Sequence, residues 1–144
     1  MPGYRLFVLD EEDDVVRASE WLHEVAQANA LPSDLLFRID LCLAEAVTNV
    51  VSYAFPANSG PHRIELALQV DDRSAALTVS DPGQAFNPLD APVPTQPMTL
   101  DDAPIGGLGI HLIRQYADAC TYRRVSDRNE LTMRWQFPSV ERAQ

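Results

Sequence analysis

Lysine is absent from this 144-residue chain: all 11 basic residues are arginine, set against 21 Asp and Glu. P-loops and eukaryotic-type protein kinase sites each place a specific lysine on the phosphates. Neither can be present here in its ordinary form. The resulting net charge of −10 disfavours a large nucleic-acid footprint, which needs clustered cations on the phosphates, and leaves room for a basic protein partner. Cysteine is scarce. Cys42 and Cys120 sit in apolar runs without a Cys-x-x-Cys spacing or a Cys/His neighbour pattern, which reads as core packing in a reducing cytoplasm. No apolar stretch approaches the roughly 20 residues of a membrane span. Residues 1–10 lack the basic start and long apolar core of a signal peptide, so neither membrane nor export is expected.

What is present fits one globular domain spanning 1–144, with 46% hydrophobic and 22% charged residues. A short strand is expected at 4–9, then a helix opened by the acidic residues 11–14 and carried by Val15, Val16, Ala18, Trp21, Leu22, Val25 and Ala26 at helical spacing. Pro32 ends it, and Ser33 reads as the N-cap of a second helix over about 34–55. Residues 63–70 alternate with Ile64, Leu66, Leu68 and Val70 on one side, and 75–79 continue as a hairpin partner after an Asp71–Asp72 turn. Six prolines between Asp81 and Ile105 exclude a helix or a central strand there. A helix over about 106–119 follows, then strands at 120–125 and 131–137 joined by a polar turn at 127–129. The order β-α-α-β-β-loop-α-β-β predicts an α+β fold: a two-layer sandwich of a mixed, mostly antiparallel sheet packed on helices.

Three stretches carry chemistry. Glu45 is the only charged residue between Leu41 and Phe55, and Asn49 lies one turn further along the same helix face. A carboxylate and an amide oxygen so placed can take a proton and ligate a hard cation, or simply form a solvated stripe. Asp81-Pro82-Gly83-Gln84-Ala85-Phe86 directly follows a strand. It is either an ordinary turn or a carboxylate that accepts from the exocyclic amine of a base, with Gly83 admitting the ring to the backbone. Gly106-Gly107-Leu108-Gly109 opens a helix. Glycines there lower helix propensity by roughly 1 kcal/mol each, which fits either a hinge or a phosphate approaching free backbone amides.

The three together resemble the boxes of the GHKL ATPase superfamily, most closely the bacterial anti-sigma-factor serine/threonine kinases. Glu45-Ala46-Val47-Thr48-Asn49 is similar to their N-box, Asp81 to Phe86 to their first glycine box, and Gly106 to Ile110 to their second. Asn129-Glu130-Leu131-Thr132 looks like the closing strand pair. The resemblance covers almost the whole chain and implies the Bergerat ATP-binding fold with ATP and Mg²⁺. It implies Glu45 as general base, Asn49 as Mg²⁺ ligand, Asp81 on the adenine amine with Thr132 assisting, and Gly83 beneath the adenine beside Phe86. It places Gly106, Gly107, Leu108 and Gly109 at the phosphates and a lid over about 87–105. It further implies a cytoplasmic anti-sigma factor that binds a sigma factor, phosphorylates an anti-sigma-factor antagonist of STAS type on serine, and can form homodimers. Two other functions are compatible with the boxes: a nucleotide-dependent binding module without kinase activity, and the ATP-binding module of a histidine kinase acting in trans. The chain departs from the pattern in two ways. The lid holds no Arg or Lys, leaving Arg114 as the nearest basic residue in sequence, and Tyr53 stands where many relatives carry a histidine.

Overall fold

The computed structural model describes residues 3–9, 11–55, 60–90 and 107–138, with 12 and 107–109 described by their backbone. Strand β1 (Gly3–Leu9) leads into helices α1 (Glu12–Ala28) and α2 (Ser33–Tyr53). Strands β2 (Arg63–Val70) and β3 (Ser74–Asp81) follow, then a 3₁₀ turn at Pro88–Asp90, helix α3 (Gly107–Tyr116), and strands β4 (Ala119–Val125) and β5 (Arg128–Gln136). The sheet order is β1-β2-β3-β5-β4, and every pairing is antiparallel. The sheet, expected to be mixed and mostly antiparallel, is antiparallel throughout. β3 and β4 run the same way, and β5 lies between them and opposes both.

Strand alternation creates the two layers. Ile64, Leu66, Leu68, Leu77, Val79, Met133 and Trp135 point to one face and are almost wholly buried, together with Leu22, Leu35, Ile39, Cys42, Leu43, Val47, Ile110 and Ile113 from the helices. That common apolar layer is the main stabilising term, at roughly 25 cal/mol per Å² removed from water. Trp135 also finds a polar partner, its Nε1 donating to Tyr116 O at 2.8 Å.

Local chemistry sets the element ends. In the β2–β3 turn, Asp71 Oδ1 accepts from the amides of Arg73 at 2.8 Å and Ser74 at 2.6 Å. Such an Asx closure fixes the hairpin register. Helix α2 begins one residue earlier than expected, with Pro32 rather than Ser33 at its N-cap and no side-chain cap bond. Helix α3 stops at Tyr116, short of the expected 119, because Asp118 N donates to Arg134 O at 2.9 Å and draws the chain into the sheet.

Candidate functional site

Helix α2 carries the first two candidates. Asn49 is 3% exposed, and neither its Nδ2 nor its Oδ1 has a hydrogen-bond partner. A buried amide without partners costs about 1–3 kcal/mol, a cost that a water or a bound ligand in the adjoining cavity would offset. Glu45 lies one turn earlier on the same face, half-buried. Burial raises its carboxyl above the ordinary value, the direction that suits a group accepting a proton near neutrality.

Strand β3 delivers the third candidate from the sheet. Asp81 is 3% exposed, and its Oδ1 accepts from Gly83 N at 2.9 Å and from Asn129 Nδ2 at 3.0 Å. Both of these bonds fall on one oxygen. Desolvation raises the Asp81 pKa, opposed by the Asn129 and Gly83 hydrogen bonds and by the charges of Arg128 and Arg124. Asn49, Asp81 and Phe86 line one cavity of about 20 Å³ with Ala46, Val50, Val79, Pro88, Tyr122, Asn129 and Leu131. That holds about one water, far less than a purine base would need.

The turn after β3 is fastened to the end of α2. Gln84 N donates to Ala54 O at 2.9 Å, Gln84 Nε2 to Tyr53 O at 3.1 Å, and the Tyr53 and Phe86 rings stack 5.1 Å apart. Gly83 lies so close that a Cβ built on it would stand 2.4 Å from Ala54 O. Its missing side chain thus admits helix backbone, a requirement that the sequence reading, with a base over Gly83, did not foresee.

The glycine-rich start of α3 is described from Gly107 onward; Gly106 and most of the stretch expected to form a lid (91–105) lie outside the described residues, as do the side chains of Leu108 and its neighbours. The first amides of a helix are free of intrahelical bonds, and Gly107 and Gly109 keep that end without bulk. Arg114 Nη2 donates to Leu89 O, tying α3 to the 3₁₀ turn at Pro88–Asp90.

Thr132 is not part of this group. Its Oγ1 lies 3.0 Å from Thr78 Oγ1, and both line a broad depression with Ala67, Gln69, Thr121, Glu130 and Arg134 on the sheet face opposite the helices. Alternation along β5 puts Leu131 and Met133 inside and Thr132 outside, so the expected assistance from Thr132 is corrected. Asn129 takes the inward position, directly opposite Asp81 in the register. The sequence reading missed it because 127–129 looked like a turn. The signal was available: Leu131, Met133 and Trp135 share a parity, and Asn129 has the same one.

Among the described residues no group of three or more His, Cys, Asp or Glu could hold a metal. The side chain that could offer an oxygen to a cation is the unpartnered Asn49 amide, a ligand type compatible with Mg²⁺, which keeps most of its coordination for water and phosphates. Also among the described residues, no helix is long and apolar enough to cross a membrane.

Comparison with known proteins agrees with this geometry. The profile of the histidine kinase-like ATPase domain matches residues 8–135. The serine/threonine-protein kinase BtrW of Bordetella bronchiseptica (strain ATCC BAA-588 / NCTC 13252 / RB50) is 36% identical over 113 residues, covering 78% of this chain and 79% of that protein. Among solved structures, that of the RsbU and RsbW domains of Rv1364c from Mycobacterium tuberculosis superposes with a TM-score of 0.67 at 13% identity over 96% of this chain. The chain spans 34% of that larger protein, and the likeness establishes the shared fold. The profile match over residues 8–135, on an α+β sandwich whose buried Asn49 and Asp81 share one cavity, makes this chain a member of the histidine kinase-like ATPase domain family, of the GHKL type.

Proposed function

We propose that the chain is an ATP-dependent protein serine kinase that also acts as an anti-sigma factor, sequestering a sigma factor and phosphorylating the antagonist that would otherwise capture it. The observation that carries this reading is the pairing on one helix face of a half-buried Glu45 with a buried, unpartnered Asn49 whose amide looks into the same cavity as Asp81. The 36% identity to a protein named as a serine/threonine kinase supports it.

In this reading Asp81 accepts from the exocyclic amine of adenine, and the free amides at the start of α3 receive the phosphates. Asn49 Oδ1 would hold Mg²⁺, which supplies neutralisation of the phosphate charge. Glu45 takes the proton from the attacking serine hydroxyl, and its raised pKa makes it a better base than an exposed glutamate. Most of the rate enhancement comes from positioning and charge neutralisation, as is usual for phosphoryl transfer. Incubation with ATP, Mg²⁺ and the antagonist should give phosphoserine. Glu45→Ala should abolish the transfer while leaving ATP binding intact, and an unchanged rate in that variant would remove Glu45 from the mechanism.

One feature favours a second reading, a nucleotide-dependent binding module without transfer. Residues 87–105 hold no Arg or Lys, and Arg114 is bonded to Leu89 O. Under that reading ATP binds and the partner is sequestered, but no phosphoserine forms.

A further inference from the structure

We infer that Asn129 is the positioning residue of the base pocket: it acts through Asp81, turning that carboxylate so that Oδ2 serves the ligand, and it touches no ligand itself. The inference rests on the ATP reading above and goes beyond it by assigning base selectivity to a residue outside the three boxes.

The argument is one of hydrogen-bond capacity. A side-chain amide has two N–H donors and an oxygen with two lone pairs. Asn129 is 5% exposed. Its Nδ2 donates to Asp81 Oδ1 at 3.0 Å and to Gln84 O at 2.8 Å. Its Oδ1 accepts from Phe86 N at 3.1 Å, Tyr122 Oη at 2.5 Å and Arg124 Nη1 at 3.1 Å. The partners fix the amide orientation, because a carboxylate and a carbonyl can only accept and an N–H and a guanidinium can only donate. Both donors and the oxygen are fully engaged within the protein, which leaves no donor or acceptor for a base.

The consequence falls on Asp81. With Gly83 N and Asn129 Nδ2 both on Oδ1, the rotation of the carboxylate is fixed and Oδ2 is the oxygen left for an incoming amine. The same amide ties the turn carrying Gly83 to Phe86 onto β4 and β5, and Arg124 Nη1 adds a bond to Gly83 O at 2.7 Å. Asn129 thus holds both the reading oxygen and the backbone around it.

The test is Asn129→Asp, which is isosteric, keeps the acceptor for Phe86, Tyr122 and Arg124, and loses the donors to Asp81 and Gln84. Binding of ATP-Mg²⁺ and of the purine riboside triphosphate that lacks the 6-amino group is measured by calorimetry on the full chain. The wild type should prefer ATP. The variant should bind ATP about tenfold or more weakly while the amino-less nucleotide changes by less than about threefold, so that selectivity collapses. A purely structural role would weaken both nucleotides equally. Neutral Asn129→Ala, which deletes the donors without adding charge, reads the same ratio if the charged variant does not fold. Retained selectivity in a folded variant overturns this inference alone. A wild type that binds neither nucleotide overturns the ATP reading and the inference with it.

Discussion

Gly83→Ala is the substitution whose outcome follows most directly from the coordinates. A methyl group at this position would stand 2.4 Å from Ala54 O, 2.8 Å from Ala54 Cβ and 2.9 Å from Ala54 C. All three distances are below van der Waals contact, and two of the atoms are backbone at the end of α2, which cannot rotate away. Overpacking of this kind costs about 1–3 kcal/mol. Displacement of the turn also breaks the Gln84 N to Ala54 O bond, adding about 1 kcal/mol. The sum is about 2–4 kcal/mol, which for a chain of 144 residues lowers Tm by roughly 8–16 °C. Thermal unfolding followed by circular dichroism, without nucleotide, is the assay. Gly3→Ala is the control, because nothing lies within 4 Å of its Cβ position, and it should not lower Tm. If Gly83→Ala melts within about 1 °C of the parent, the turn yields freely and the close approach to α2 is not a constraint on this glycine.

Three further outcomes follow from charge and burial. Burial raises the Asp81 pKa, so the folded state keeps this proton to higher pH than the unfolded chain does; stability from the group is full below the unfolded value and is lost as pH rises through the folded one. Asp81→Asn removes that charge and keeps Oδ1 as acceptor, so at neutral pH it should melt no lower than the parent yet bind ATP at least about tenfold more weakly; a lower Tm with unchanged affinity would reverse the assignment. On the kinase reading, transfer speeds up as Glu45 loses its proton, and because burial places that event above the ordinary value of 4.5, the acid limb of the pH–rate profile should lie above that of an exposed glutamate; a rate flat from about pH 5 to about pH 8 would exclude it as the base. Burial pushes the Cys42 thiol up to about 12 and Cys120 to about 11, so a disulfide reagent at neutral pH should label the native protein at least about a hundredfold more slowly than the urea-unfolded chain, with a fast native phase as the contrary result.

The fold was legible in the sequence wherever periodicity was long. Ile64, Leu66, Leu68 and Val70 fixed β2 and its buried face, and the apolar helix around Glu45 fixed α2, because both patterns report burial directly. Three positions were not legible. Asn129 was hidden by Asp127 and Arg128, whose polarity resembles a turn although the strand already begins at Arg128. Thr132 was misplaced because one residue of register reverses the face of a strand. The reason for Gly83 could not be read at all, since its neighbour Ala54 is 29 positions away in the chain and reaches it only through tertiary packing. Asn49 and Asp81 stood out because a buried amide and a buried carboxylate conflict with an apolar helix and an apolar sheet, and such conflicts concentrate at functional sites.

The attachment of the Gly83 turn to Tyr53 and Ala54 has a mechanical consequence. At 1.5 Å of rise per residue, α2 places Glu45 about 6 Å before Asn49 and Asn49 about 7.5 Å before Ala54, so one stiff rod sets the spacing between Glu45, Asn49 and the Gly83 turn fastened to its C-terminal end. A side chain pressed against the outside of that rod, at the exposed Phe37 for instance, would shift Glu45, Asn49 and the attached Gly83 turn together.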